Sequence, residues 1–219
     1  MKDALLYSYI TLILIALLSA MRFLSTYNKV VWVFTAYLFL SLTVELTVII
    51  FMQFNLDRNI LYNVYLILSY ANLVYLYTLL IGKGFSRKVF LIVVGLITSV
   101  AALFFVNQYL GMNGFISRPS KVLMISYILG SLLILLGFII KPALKPIKAE
   151  FSFWFGIAQL FWSVMFLFRV GAMSYIQKVN PEFQHNLHLM LLIVNIITYL
   201  FFIKAITCLR PQKKLFSPT

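Results

Sequence analysis

Charge is what this chain has least of. Only 11% of its 219 residues are charged, and just five of them are acidic. A soluble domain carries about 25% charged and roughly 45–50% apolar residues. Here 63% are hydrophobic and mean hydropathy is +1.01. A water-facing surface cannot be assembled from that composition, which leaves lipid as the solvent. The single cysteine, Cys208, excludes an internal disulfide and any multi-cysteine metal site. With so few acids, hydrolysis by paired carboxylates has almost no candidates. The sequence also holds no G-x-S-x-G, no H-E-x-x-H and no P-loop. His185 and His188 lie three apart, but no Cys, Asp or third His adjoins them, so neither a metal nor another cofactor is expected.

What is present is a series of apolar runs, each close to the twenty residues that cross a hydrocarbon core of about 30 Å. They cover roughly 4–21, 30–52, 60–81, 89–106, 122–140, 151–170 and 187–209. We therefore expect an all-α, polytopic bundle of seven transmembrane helices, forming one domain over 1–219. The first run could be a signal peptide, but its n-region is only Met-Lys-Asp and further spans follow at once, so it reads as the first span. The connections 108–121 and 171–186 are the longest, and Gly111, Gly114 and Pro119 read as turn formers in the first of them. Lys141-Pro142 and Lys145-Pro146 should stop span five, since proline cannot continue a helix. No internal repeat of the kind that marks inverted-repeat transporters is found. The space left over admits no soluble catalytic or nucleic-acid-binding domain.

The net charge of +13 belongs to helix ends and not to a nucleic-acid surface. Arg22, Lys29, Lys83, Arg87, Lys88, Lys141, Lys145, Lys148, Arg210, Lys213 and Lys214 fall on one side of a seven-span arrangement. Lys2, Arg58, Arg118, Lys121 and Lys178 fall on the other, with Arg169 at its edge. Cytoplasmic connections carry the Lys/Arg excess. The expected orientation therefore has the N-terminus outside and the C-terminus in the cytoplasm, in a multi-pass cell-membrane protein whose non-protein surroundings are membrane lipids.

An acid inside a membrane costs roughly 2.5–3.5 kcal/mol on insertion scales and is a functional candidate by default. Glu45 is the only one, and it shares a helical face with Tyr37 and Ser41. Span six offers Gln159, Trp162, Phe166 and Arg169 at helical spacing, span three offers Tyr62, Tyr65, Ser69 and Asn72, and span seven offers His188, Asn195 and Tyr199. Two readings stand side by side. In the first, spans two, three, six and seven enclose an outward-opening pocket with Glu45 and Arg169 as charged members, His188 at the rim, and Tyr65, Asn72, Gln159, Trp162 and Asn195 on the walls. In the second, Glu45 and Arg169 form a structural pair, and the remaining polar groups are interhelical hydrogen bonds of about 0.6 kcal/mol each. The other tyrosines of span three, Tyr70, Tyr75 and Tyr77, would either line an aromatic ligand site or pack against neighbouring helices. Lys204 reads as snorkelling to the inner headgroups.

The sequence is similar to a group of small bacterial seven-span inner-membrane proteins. Glu45 late in span two, Leu61-Tyr62-Asn63-Val64-Tyr65 opening span three, Phe153-Trp154 with Gly156 opening span six, and His188 with Asn195 in span seven carry the resemblance. Such proteins resemble the seven-helix sensory modules of bacterial signalling systems. The resemblance implies a non-enzymatic sensor or signalling subunit that binds a small-molecule or lipid ligand and acts on a cytoplasmic or membrane partner. A small transporter or channel subunit using Glu45, and a membrane-embedded lipid-modifying enzyme using Glu45 with His188, are the alternatives.

Overall fold

A computed structural model describes residues 2–26, 28–56, 58–81, 84–109, 117–140, 146–176 and 181–209. It has seven long helices: α1 (Lys2–Met21), α2 (Lys29–Gln53), α3 (Asn59–Leu80), α4 (Phe85–Tyr109), α5 (Ser117–Ile140), α6 (Phe151–Ile176) and α7 (Pro181–Thr207). All seven are long and apolar enough to cross a membrane, and among the described residues there is no strand. The chain is a multi-pass, all-α membrane protein. Helices α1, α2, α3, α5, α6 and α7 pack each against the next to close a ring, and α4 lies outside against α5 and α3.

Local signals set the helix ends. The Asn28 side chain accepts a hydrogen bond from the Val30 N–H and caps α2. At the other end of α2, Asn55 takes a left-handed φ of 52°. The Leu56 and Asn55 N–H groups then return to the carbonyls of Phe51 and Met52, a Schellman closure that lets α3 begin within a few residues. α5 is described as far as Ile140, and the Lys141-Pro142 and Lys145 positions expected to stop it lie outside the described residues.

The two long connections are shorter than the sequence suggests. α4 runs on to Tyr109 and α5 begins at Ser117, so Pro119 sits in the first turn of a helix and not in a turn. α6 continues to Ile176, and α7 begins at Pro181. Proline is compatible with the first helical turn because its missing N–H would have had no partner there. Gly111, Gly114 and His185's side chain lie outside the described residues.

Hydroxyls that could look functional are mostly satisfied by their own helices. Thr35, Thr43, Thr47, Ser99, Ser163 and Thr198 all donate to the carbonyl four residues earlier, which is how such groups are tolerated where no water competes.

The ring is filled differently at its two ends. Toward the Lys/Arg-rich end, Phe34, Leu38, Leu76, Tyr77, Phe155 and Phe202 have no accessible surface. Phe34 makes edge contacts with Phe151, Phe155 and Phe202 at centroid distances of 5.2–5.9 Å, and Phe155 stacks on Phe202. Tyr77 of α3 meets Phe155 edge-on at 5.6 Å, so α2, α3, α6 and α7 meet in one aromatic layer, held by offset and edge-to-face packing. The opposite end holds the polar groups.

Candidate functional site

Glu45 lies about 12 Å from the far end of α2 and Tyr9 about 10 Å from the corresponding end of α1, counting ~1.5 Å per residue. The two helices run in opposite directions, so the two residues come level. The Tyr9 hydroxyl donates to Glu45 Oε1 at 3.1 Å. The Tyr9 ring packs on Tyr199 of α7 with centroids 5.5 Å apart. One and two turns further along α2, Ser41 and Tyr37 continue the same face. The Ser41 and Tyr65 hydroxyls are 2.9 Å apart, joining α2 to α3, and Ser41 also donates to the Tyr37 carbonyl. The Tyr37 hydroxyl faces Gln159 of α6 and Tyr65 of α3. Tyr37 and Tyr199 rest on Phe202, at 6.1 and 5.4 Å. A column of polar groups therefore descends from Glu45 and ends on the aromatic layer.

Three of the expected residues carry buried atoms with no partner. Gln159 is 1% exposed and its Oε1 is unbonded. Asn72 Oδ1 and Arg169 Nε are in the same condition. Orphaned buried polar atoms are uncommon in native interiors and call for an explanation, such as a bound ligand or water. Glu45 and Arg169 form no ion pair with each other: the contact made by the carboxylate is with Tyr9, and the guanidinium Nε is open. Tyr62 of α3 lies in the field of both, together with that of Arg58. The paired-charge reading of Glu45 and Arg169 is thus not what the geometry contains.

Other members of the stripes serve as bracing. Trp162 Nε1 donates to Asn195 Oδ1 at 2.9 Å, tying α6 to α7, and the Trp162 ring stacks on Phe166. His188 is half-buried, two turns along α7 from Asn195. Span three divides its tyrosines. Tyr62 and Tyr65 turn toward Glu45, whereas Tyr70 bonds Thr98 of α4 and Ser126 of α5, and Tyr77 bonds Ser131 and the Tyr127 carbonyl of α5. Tyr75 is exposed. Lys204 reaches over Trp154, 6.0 Å from the ring centroid. Among the described residues no group of three or more His, Cys, Asp or Glu is placed to hold a metal ion.

Tyr9 and α1 are what the stripe argument missed. Matching distances from the ends of two antiparallel helices put Tyr9 at the level of Glu45, but only the packing of α1 beside α2 makes it the partner. Glu45, Tyr62, Tyr65, Trp162, Asn195 and Arg169 are partly exposed, whereas Tyr9, Ser41, Gln159, Ser163 and Tyr199 beside them are buried, as is the aromatic layer. Fold and composition together define a polytopic helical membrane protein. No family model, curated protein or solved structure matches the chain.

Proposed function

We propose that this protein is a non-enzymatic sensor or signalling subunit whose ligand enters the chamber around Glu45. One observation carries the reading: Asn72, Gln159 and Arg169 each hold a buried polar atom with no partner in the same bundle as the Glu45 carboxylate, while toward the basic end the interior is filled by fully buried aromatic rings. A chamber with a floor suits binding better than passage. Occupancy would change the spacing of α1, α2, α3, α6 and α7, which all reach the Lys/Arg-rich end where a cytoplasmic or membrane partner would be met. The Lys/Arg distribution supports an N-out, C-in orientation in a bacterial inner membrane, and the resemblance to seven-helix sensory modules points the same way.

The test has two readouts on the purified protein. A thermal-shift screen of small polar compounds, repeated on Glu45→Gln, reports the pocket. Spin labels at Cys208 and at Ser86→Cys report transmission to the basic end. A compound that stabilises the wild type, fails on Glu45→Gln and changes the label distance is the expected result. Saturable uptake into proteoliposomes that disappears in Glu45→Gln would instead establish the transporter reading, which the intramembrane acid favours.

A further inference from the structure

α7 turns Asn195, Tyr199 and Phe202 to the bundle. Its opposite face forms the floor of a groove of about 560 Å³, a volume within the range of ligand pockets. The floor runs from Asn186 through Met190 and Ile193 to Ile197, with Leu5 of α1 on one side and Phe161 and Met165 of α6 on the other. Asn186 is the one polar side chain in this lining. The groove is one leaflet deep. Phe161 lies ten residues from the start of α6 at Phe151, and Ile197 ten from the end of α7 at Thr207, so both stand about 15 Å from the Lys/Arg-rich end. Asn186 lies twenty-one residues from Thr207, about 31 Å from that end. A hydrocarbon core is about 30 Å thick, so the groove opens at the far edge of the core and ends near its middle. Beyond that level the seam between α6 and α7 is filled. Trp154, two turns before Phe161, stacks on Phe201, one turn after Ile197, with centroids 5.9 Å apart.

This length selects the occupant. A partner's transmembrane helix needs about twenty residues of contact, and here it would meet an open groove for one half and the Trp154–Phe201 pair for the other. An extended acyl chain is one leaflet long. Met165 and Met190 give the groove unbranched, adaptable side chains, which suit an occupant of no fixed shape. Resting on the membrane-spanning fold and not on the chamber around Glu45, we infer that the groove holds one acyl chain of a phospholipid from the leaflet at the Lys/Arg-poor end, with its ester region beside Asn186. A lipid tail has no hydrophobic drive to leave the bilayer for the groove, so its retention comes from close packing against α1, α6 and α7.

The experiment places the full chain in phosphatidylglycerol vesicles doped with phosphatidylglycerol that carries a diazirine in mid-chain. After illumination, labelled residues are mapped by mass spectrometry. Leu96, Val100 and Leu103 of α4, exposed and in the same half of the membrane, report ordinary lipid contact. Met165, Met190 and Ile193 are expected to be labelled severalfold more than these. Ile193→Trp fills the groove and should bring the labelling of Met165 and Met190 down to the α4 level, whereas Leu96→Trp should leave it unchanged. Both substitutions fall at exposed positions, and an unchanged melting temperature shows that the fold is kept. Equal labelling of the groove and α4 in the wild type, or groove labelling that persists in Ile193→Trp, overturns the inference. Labelling by a diazirine fatty acid in the same vesicles, with none by the phospholipid, overturns it as well. So does oxidative capture of a second chain at Ile193→Cys in a Cys208→Ser background, which would put a helix in the groove.

Discussion

Gly130 offers the most sharply calculable perturbation. A methyl group there would lie 2.8 Å from Cγ and Cδ1 of Tyr77 and 2.9 Å from Cε1. Carbon atoms prefer about 3.5–4.0 Å, so the overlap is roughly 0.7 Å at three atoms of one ring. The ring has nowhere to go. It is fully buried, it packs on Phe90 and Phe155, and its hydroxyl is fixed by Ser131 at 2.8 Å and the Tyr127 carbonyl at 3.1 Å. Relief requires α5 to move away from α3. Overpacking of this kind costs about 1–3 kcal/mol, against which alanine returns up to about 1 kcal/mol of helix propensity. Gly130→Ala should therefore lose about 1–2 kcal/mol in reversible unfolding by SDS in bicelles. Gly95 and Gly137 supply the control, because nothing lies within 4 Å of a methyl at either position. Their alanine variants should be neutral or slightly more stable. Adding Tyr77→Leu should recover part of the Gly130→Ala loss. If Gly130→Ala proves as stable as Gly137→Ala, the close approach of α3 and α5 at this level is wrong.

Glu45→Gln keeps an acceptor for the Tyr9 hydroxyl while removing a charge from the membrane, so thermal unfolding in detergent should show equal or greater stability. A clear loss would mean that the carboxylate has a structural charge partner. Tyr9→Phe deletes the 3.1 Å bond and should cost about 0.6 kcal/mol, the usual value for an interhelical hydrogen bond. Trp162→Phe should cost a similar amount, up to about 1.7 kcal/mol. A double-mutant cycle with Asn195→Leu should return that energy as coupling between α6 and α7, and zero coupling would refute the bond. Phe34→Ala opens the aromatic layer. A void of roughly 100 Å³ at ~24 cal/mol per Å³ gives about 2–3 kcal/mol, measurable in the same SDS titration.

The number of helices and their order along the chain were legible because a span must supply about twenty apolar residues, a requirement few polar substitutions can blur. Their extension past the bilayer was not, since Pro119 reads as a turn former in sequence and lies in the first turn of α5 in the fold. Glu45 was legible as a site candidate from its cost alone. Its partner was not, because which helix stands beside α2 depends on the ring order, and no local pattern encodes that order. Span three shows the same division. Its sequence separates a Tyr62–Tyr65 face from a Tyr70–Tyr77 face, but only the packing tells that the first meets Glu45 and the second binds α4 and α5.

The proposed chamber and its floor are tested directly by cysteine accessibility in a Cys208→Ser background. Single cysteines replace Tyr65 and Tyr62 at the chamber wall and Phe34 and Phe155 in the aromatic layer. A membrane-impermeant thiol reagent is then added to the Lys/Arg-poor face of oriented vesicles. Rapid modification at 62 and 65, with protection at 34 and 155, is the expected result. Protection at all four positions would contradict an open chamber, and modification at 34 and 155 would contradict the floor that distinguishes a binding site from a conduit.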